Sequence, residues 1–447
     1  MMKAHVAERR GLFVPLFRQL GKHVTRVVTL ASLLTLVWST LVYAGQATTL
    51  TYSSTMFAES AGPEYMRQIG EFLKANPDIK IEPDPSPYAQ FATKMAVRFK
   101  GGEPSDIVMA EIDWIHAWVA QGWLRDLTPL VANTGGKAFL DNYFPMLINQ
   151  ATKDGKLYGL PRHAGGYLLY YNADLFREAG LDPAKPPRTW DELLSYARKL
   201  TKRDAAGNTV QWGIAVHGMN VPSVVSRFVN WMYVNGADLL TPDNKRGLLD
   251  QPKAIEALKF WSELYTKEKV VPPGAVQVGP AQGRTLFAQK RVAMLQGILW
   301  GVSQTLAENP ALSSSLLVAP FPKQFPNAPS NFQVVYDTIS AQSKNPEAAW
   351  KLLQWFARPE NQIALYKASR YAPSRRDVFG RPEIQNDPAA RVLAVVNENL
   401  KPEPAIPQWE QINRIIGDAM QEALNQTKTP EAAMKDANAR VNRVLAQ

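Results

Sequence analysis

The chain of 447 residues contains no cysteine. A disulfide scaffold, a thiol nucleophile and a cysteine-ligated metal are therefore excluded, and so is lipidation of an N-terminal cysteine. Histidine is scarce, with five residues and no His-Glu-x-x-His pair, which argues against a zinc site. A Gly-x-Ser-x-Gly elbow is absent. Gly135-Gly136-Lys137 is followed by Ala138, where a phosphate-binding loop needs a hydroxyl. We expect neither a cofactor nor a metal.

Long runs of one charge are also missing. The formal net charge is +10, but no Lys/Arg tract of the kind that follows a nucleic acid backbone occurs. Apolar residues make up 46% of the chain and charged residues 20%, which is typical of a globular protein. The length suffices for two domains with full cores. The composition therefore predicts a folded protein that does not bind nucleic acid.

A single long apolar run, from Val27 to Leu41, lies near the N-terminus. Its length of about 15 residues is short of the roughly 20 that span a bilayer. Basic residues precede it, and Val42-Tyr43-Ala44 offers the small residues of a cleavage site. We expect residues 1–44 to be a signal peptide and the mature protein to be periplasmic; a retained signal anchor is the alternative.

Strand and helix patterns alternate along the first part of the mature chain. Strands are predicted at 50–53, 79–82 and 106–110, and helices at 63–74, 88–100 and 114–121. This alternation indicates an α/β lobe with a mostly parallel sheet. Helical periodicity dominates from Val221 onward, at 224–234, 252–267, 283–288, 346–356, 360–367, 387–397, 408–424 and 430–445.

The stretch from Gly155 to Thr201 is the most informative part of the sequence. An aromatic run at 167–171 predicts a buried strand, and Asp174 is suited to cap the helix that follows. Thr189, with Glu192 three residues later, predicts the start of a second helix. The motifs K-L-Y-G-L-P, YYN-A-D-L-F-R-E-A-G-L and P-P-R-T-W-D-E-L in this stretch resemble the carbohydrate-binding (maltose-type) extracellular solute-binding proteins of ABC importers.

Further segments resemble the same family in the same order, from about residue 50 to residue 445. They are 106–127, 287–300, 343–362, 407–409 and 429–433. The resemblance implies an α/β fold of two lobes, joined by three crossovers near 164–166, 296–297 and 334–336, with a helical C-terminus packed on the second lobe. Lobe 1 would then comprise 45–164 plus 297–333, and lobe 2 would comprise 165–296 plus 334–447.

The implied function is that of a non-enzymatic, monomeric receptor that binds a sugar or sugar derivative and delivers it to the permease subunits of an ABC importer. Two alternatives remain open. One is an exported carbohydrate-active hydrolase, for which Glu111 and Asp113 are the nearest pair of carboxylates. The other is the same kind of receptor for glycerol phosphate or another small polar solute. The sequence does not identify the ligand.

Sugars are held by carboxylates and amides that bond their hydroxyls and by rings that stack on their apolar faces. The residues predicted to contact the ligand are Glu59, Tyr88, Glu111, Asp113, Trp114, His163, Trp300, Tyr371, Arg375 and Trp409.

Two alternatives apply to these assignments. Asp113 can equally cap the helix that follows it, and Trp300 can belong to a lobe core. Four basic residues near the predicted crossings, Arg162, His163, Arg370 and Arg375, suggest an anionic or phosphorylated sugar, although arginine also donates to neutral hydroxyls.

Overall fold

The computed structural model describes residues 47–447, so the predicted signal peptide lies outside the described residues. The helices of this part of the chain are α1 Gly62–Ala75, α2 Tyr88–Gly101, α3 Ile112–Ala120, α4 Thr128–Ala132, α5 Lys137–Leu140, α6 Pro145–Gln150, α7 Ala173–Glu178, α8 Trp190–Leu200, α9 Pro222–Val234, α10 Pro252–Thr266, α11 Pro280–Ala288, α12 Trp300–Glu308, α13 Pro346–Phe356, α14 Pro359–Ser369, α15 Arg376–Phe379, α16 Pro382–Gln385, α17 Pro388–Asn397, α18 Trp409–Leu424 and α19 Pro430–Leu445.

Two five-stranded sheets and one short hairpin form the β-structure. The strands are β1 Thr48–Ser54, β2 Ile79–Pro85, β3 Ile107–Glu111, β4 Thr152–Lys153, β5 Lys156–Leu157, β6 Leu160–Gly166, β7 Leu168–Asn172, β8 Lys202–Arg203, β9 Thr209–Ala215, β10 Val292–Gly297, β11 Leu316–Pro320 and β12 Phe332–Ile339.

The first sheet has the order β2-β1-β3-β12-β6 and the second the order β11-β7-β10-β9-β8. Strand β1 runs parallel to β2 and β3, whereas β12 runs antiparallel to β3 and β6. In the second sheet β10 is parallel to β9 but antiparallel to β7. Four of the five strands of the first sheet therefore run in the same direction, which agrees with the mostly parallel sheet predicted for that lobe; only β12, which returns from the other lobe, runs against them. The second sheet is mixed.

Each sheet has its own apolar core. One cluster joins the first sheet to helices α1, α2, α3 and α13. A larger one joins the second sheet to α8, α9, α10, α18 and α19, so the last two helices pack on the second lobe as predicted. The two-lobe α/β fold is thus present, with the helical C-terminus in the expected place.

The chain crosses between the sheets three times, but only the first crossing lies where it was predicted. Strands β6 and β7 adjoin at Tyr167 and belong to different sheets. The second crossing lies in 321–331, because β10 and β11 both stay in the second sheet. The third crossing lies between α13 and α18. Helix α13 follows β12 and packs in the core of the first lobe, whereas α18 packs in the core of the second.

The predicted lobe segments need a matching correction. Residues 316–320 were assigned to lobe 1 but pair with β7 of the second sheet, and residues 334–339 were assigned to lobe 2 but pair with β3 and β6 of the first. The physical reason is that β12 is buried along its whole length. A strand that is buried at every position can lie at the centre of either sheet, so its local sequence does not specify which strands it pairs with.

The local signals in Gly155–Thr201 are largely confirmed. The Thr189 hydroxyl accepts from the backbone N–H of Glu192 at 3.2 Å and starts α8. The helix before it is capped by Asn172 rather than by Asp174, because the Asn172 side chain accepts from the backbone N–H groups of Asp174 and Leu175 at 3.0 and 3.2 Å. The helix therefore begins two residues earlier than predicted, at Ala173.

Candidate functional site

A cavity of about 840 Å³ lies between the two sheets and is lined from both lobes. Thr55, Glu111, His217 and Gly297 line it, and each lies at or just beyond the carboxyl end of a strand. The carboxyl ends of strands are where ligands bind in open α/β sheets. The volume is that of a site for a small molecule.

An aromatic group occupies one side of this cavity. The rings of Trp300 and Tyr371 are stacked, with centroids 5.4 Å apart and an angle of 13° between their planes. His163 meets both edge-on, at 5.2 Å from Trp300 and 4.2 Å from Tyr371. Trp300 and His163 line the cavity, whereas Tyr371 lies behind them. Tyr371 therefore fixes the plane of the Trp300 ring.

The first lobe contributes two carboxyl groups, each bonded to a tyrosine. The Tyr88 hydroxyl donates to Oε2 of Glu111 at 2.7 Å, and the Tyr371 hydroxyl donates to Oε2 of Glu59 at 2.6 Å. Burial, together with the nearby charge of Asp113, raises the pKa of Glu111 to about 8. Burial also raises the pKa of Glu59. Glu111 is therefore protonated at neutral pH and can donate as well as accept a hydrogen bond.

Trp114 completes the first-lobe wall. It lines the cavity and packs against Tyr88, with ring centroids 5.8 Å apart. Its other contacts are to core rings, stacked at 5.7 Å on Phe91 and 5.8 Å on Trp118. Most of this indole therefore belongs to the core, and only its edge is available to a ligand.

The second lobe contributes two arginines that the sequence reading did not single out. Arg227 is 6% exposed and its guanidinium donates to the backbone carbonyl of Ser223 at 2.5 Å. Arg284 lies on α11, and burial lowers its pKa, with Arg227 adding to that effect. The pKa of His217 is lowered well below its usual value by burial and by these two cations, so it is neutral.

A local signal for Arg227 existed in the sequence. It is the one charged residue in Pro222–Val234, an otherwise apolar or neutral helix. A charged side chain in an otherwise apolar helix must either be buried or face a polar cavity. Because burial of an unpaired charge is costly, such a residue is expected to have a partner or a functional role. Arg284 carries no comparable signal, because α11 is short and mixed in composition.

Several predicted contacts lie elsewhere. Asp113 and Trp409 do not line the cavity; the indole N–H of Trp409 lies 3.3 Å from Oδ1 of Asp113 in a buried contact between α3 and α18. Asp113 is in the first turn of α3 but does not cap it. Arg375 is paired with Asp377 at 2.8 Å and likewise lies outside the cavity.

The other arginines that suggested an anionic ligand are also paired. Arg162 forms a buried ion pair with Asp337 and lies 3.8 Å from the centroid of the Phe356 ring. Arg370 pairs with Asp387 at 3.3 Å. These side chains are neutralised within the protein and do not line the cavity. Of the four basic residues that suggested an anionic ligand, only His163 lines the cavity.

Two negative findings hold for residues 47–447. No group of three or more His, Asp or Glu side chains there is arranged to hold a metal ion. Within the same range, no helix has both the length and the apolar character needed to cross a bilayer.

Two α/β lobes with a small-molecule cavity lined from both of them define a two-lobe ligand-binding protein. The chain belongs to the family of bacterial extracellular solute-binding proteins, whose family model matches residues 58–363. This membership confirms the family predicted from the sequence and the prediction of a binding protein rather than an enzyme.

Three similar proteins illustrate the relationship. A putative binding protein of Brucella abortus is 26% identical over 391 residues, which cover 87% of this chain and 91% of that one. The galactooligosaccharide-binding protein of Bacillus subtilis is 23% identical over 361 residues, 80% of this chain and 82% of the relative. An ABC transporter solute-binding protein of Thermotoga lettingae, solved with α-D-tagatose, has a TM-score of 0.81 and 28% identity and covers 89% of this chain and 100% of its own.

Proposed function

We propose that this protein is a receptor that captures a sugar or sugar derivative between its lobes and delivers it to the membrane subunits of an ABC importer. The observation that carries the proposal is the cavity between the sheets, in which a stacked indole, Trp300, shares one space with the carboxyl groups of Glu59 and Glu111. An aromatic face and polar edge groups match the two kinds of surface that a sugar presents. The similarity to a galactooligosaccharide-binding protein and to a solute-binding protein solved with α-D-tagatose supports the proposal.

The residues proposed to contact the sugar are those predicted from the sequence that also line the cavity. They are Glu59, Tyr88, Glu111, Trp114, His163 and Trp300. A ligand that bonds groups on both lobes stabilises the arrangement in which the lobes are closed on it. We propose that the closed arrangement is the one that the permease recognises, and that the protein acts as a monomer.

A panel of mono- to trisaccharides tests the proposal on the mature protein. A bound sugar should raise the melting temperature in a concentration-dependent way, and the sugar recovered afterwards should be chemically unchanged. Release of a new reducing end, abolished in Glu111→Ala, would instead establish a hydrolase. If neither these sugars nor their charged derivatives raise the melting temperature, the receptor proposal fails.

We further propose that residues 1–44 are removed during export and that the mature chain begins near Gly45 in the periplasm. The support is the sequence pattern of a signal peptide together with membership of an extracellular family. Mass spectrometry of the native protein checks this directly. Detection of residues 27–41 in the purified native protein would contradict cleavage.

A further inference from the structure

Two arginines line the cavity without an acidic partner among the described residues. Neither Arg227 nor Arg284 has a carboxylate oxygen within 4 Å there, and the Nε of each is buried without a hydrogen-bond partner. Glu59 and Glu308 attract Arg284 from a greater distance. The guanidinium of Arg227 lies 5.5 Å from the centroid of the Tyr167 ring, which holds its position without neutralising its charge.

This arrangement is costly in the absence of a ligand. A buried cation without a counter-ion pays the penalty of desolvation, and two cations close together add repulsion. The protein neutralises other arginines with carboxylates, as the pairs of Arg162 with Asp337 and Arg370 with Asp387 demonstrate. The two cavity arginines therefore stand apart as cations that line an open space and have no carboxylate within ion-pair distance among the described residues.

The acids that line the opposite wall do not balance these charges. Burial raises the pKa of Glu111 to about 8 and also raises that of Glu59, so both carboxyl groups shift toward the neutral form. At the rim, Glu410 and Arg414 are paired with each other at 3.6 Å. His217 is neutral. The second-lobe side of the cavity is consequently positive.

Resting on the proposed function, we infer that the ligand is a sugar that bears one anionic group, a carboxylate or a phosphate, and that Arg227 and Arg284 hold that group. A guanidinium binds either anion with two parallel hydrogen bonds. The neutral part of the ring faces Trp300 and the carboxyl groups of Glu59 and Glu111 on the first lobe. The arginines thus select for charge, and the first-lobe wall recognises hydroxyls.

Matched ligand sets test the inference by thermal shift and calorimetry on the mature protein. Each set contains a neutral hexose, its uronate and its 6-phosphate, for glucose and for galactose. One charged form should bind at least about 100-fold more tightly than the neutral parent, since two charge-assisted contacts are lost in the parent. Its affinity should also fall as salt is raised. Comparison of uronate with phosphate identifies the anionic group.

Two variants assign the effect to the arginines. Arg284→Gln and Arg227→Lys should weaken binding of the charged form by about 10- to 100-fold while changing binding of the neutral parent little. Lysine keeps the positive charge at position 227 but lacks the two parallel N–H donors of a guanidinium. The second variant therefore tests the hydrogen-bond geometry apart from the charge. The control is Arg177→Gln, which removes an exposed arginine of the second lobe that pairs with Asp174 at 2.8 Å; it should have no effect.

The outcomes separate this inference from the proposal on which it rests. Equal affinity for a neutral hexose and its charged forms, unchanged in Arg284→Gln, would overturn the anionic ligand and leave the sugar receptor standing. A charged sugar that binds equally well to the wild type and to both variants overturns the assignment to these arginines. If neither neutral nor charged sugars bind, the receptor proposal itself fails.

Discussion

Asp113 and Glu403 share one hydrogen-bond donor across the junction of the two lobes. The indole N–H of Trp409 lies 2.9 Å from Oε2 of Glu403 and 3.3 Å from Oδ1 of Asp113. Glu403 also accepts from Asn331 at 2.7 Å and from the hydroxyl of Ser226. All are buried. The tryptophan predicted to contact ligand thus bridges the carboxyl group of Asp113 on α3 and that of Glu403 in the loop before α18.

This pair predicts a loss of stability at high pH. Burial raises the pKa of both carboxyl groups, and the charge of Asp113 raises that of Glu403 further. Below about pH 4, the ordinary pKa of a carboxyl group, both the folded and the unfolded protein hold these protons, and stability is at its highest. The stability is lost as the pH rises through the higher pKa of the folded protein. We expect the free energy of unfolding of the wild type to decrease above about pH 5.

Glu403→Gln tests this relationship, because an amide keeps the shape and the acceptor oxygen but cannot ionise. The variant should flatten the dependence on pH and gain on the order of 1–3 kcal/mol over the wild type at pH 8. Urea unfolding between pH 5 and pH 9 measures it. Glu178→Gln, at an exposed side chain of the second lobe, is the control. Parallel pH profiles for wild type and Glu403→Gln would contradict the prediction.

Trp300→Ala should weaken sugar binding. Truncation of a buried aromatic anchor typically costs about 2–4 kcal/mol of binding, roughly 30- to 1,000-fold. The fold should persist, because Trp300 is only partly buried at the edge of the first-lobe core. Calorimetry with the best ligand measures the loss. Trp212→Ala removes a partly buried indole outside the cavity, over which Arg291 lies, and should leave affinity unchanged.

Asp337→Asn should destabilise the first lobe. Its carboxylate pairs with Arg162, and both side chains are almost fully buried. Removal of one member of a buried pair leaves an uncompensated charge and costs about 3–5 kcal/mol. Asp377→Asn breaks the partly exposed pair with Arg375 and should cost no more than about 1 kcal/mol. Urea unfolding compares the two; equal losses would refute the distinction.

Two glycines predict opposite effects of the same substitution. A Cβ at Gly213 would overlap the carbonyl oxygen and the Cα of Ala197, backbone atoms that cannot move away cheaply, so Gly213→Ala should be strongly destabilising. A Cβ at Gly70, inside α1, meets nothing within 4 Å, so Gly70→Ala should stabilise the protein by about 0.5–1 kcal/mol. Thermal unfolding of both variants checks the difference in sign.

The sequence predicted the bounds of the helices well but the pairing of strands between distant parts of the chain poorly. Bounds such as 346–356 agree with α13, because amphipathic periodicity and proline at the helix start are local signals. The crossings at 296–297 and 334–336 were misplaced, because the pairing of β12 with β3 and β6 joins residues far apart in the chain. Such non-local pairing leaves little trace in a single sequence.

The site shows the same division. Glu111 is the last residue of β3 and Trp300 lies three residues beyond β10, and both line the cavity. Asp113 and Trp409 carry the same side-chain chemistry but face the lobe junction. Residue type alone does not distinguish a cavity wall from a buried polar contact, because both combine rings with hydrogen-bonding groups.

The position of β12 constrains how the protein can be made. This strand lies between β3 and β6 in the first sheet, yet it is the last of the sheet's strands in the chain. While the polypeptide emerges from its N-terminus, β6 has no neighbour to pair with until residue 339 is free. The first lobe therefore stays incomplete until about three-quarters of the chain has been synthesised, and pairing between strands that lie far apart in the chain is intrinsically slow. That delay leaves a long interval in which the nascent chain has not completed the sheet of its first lobe.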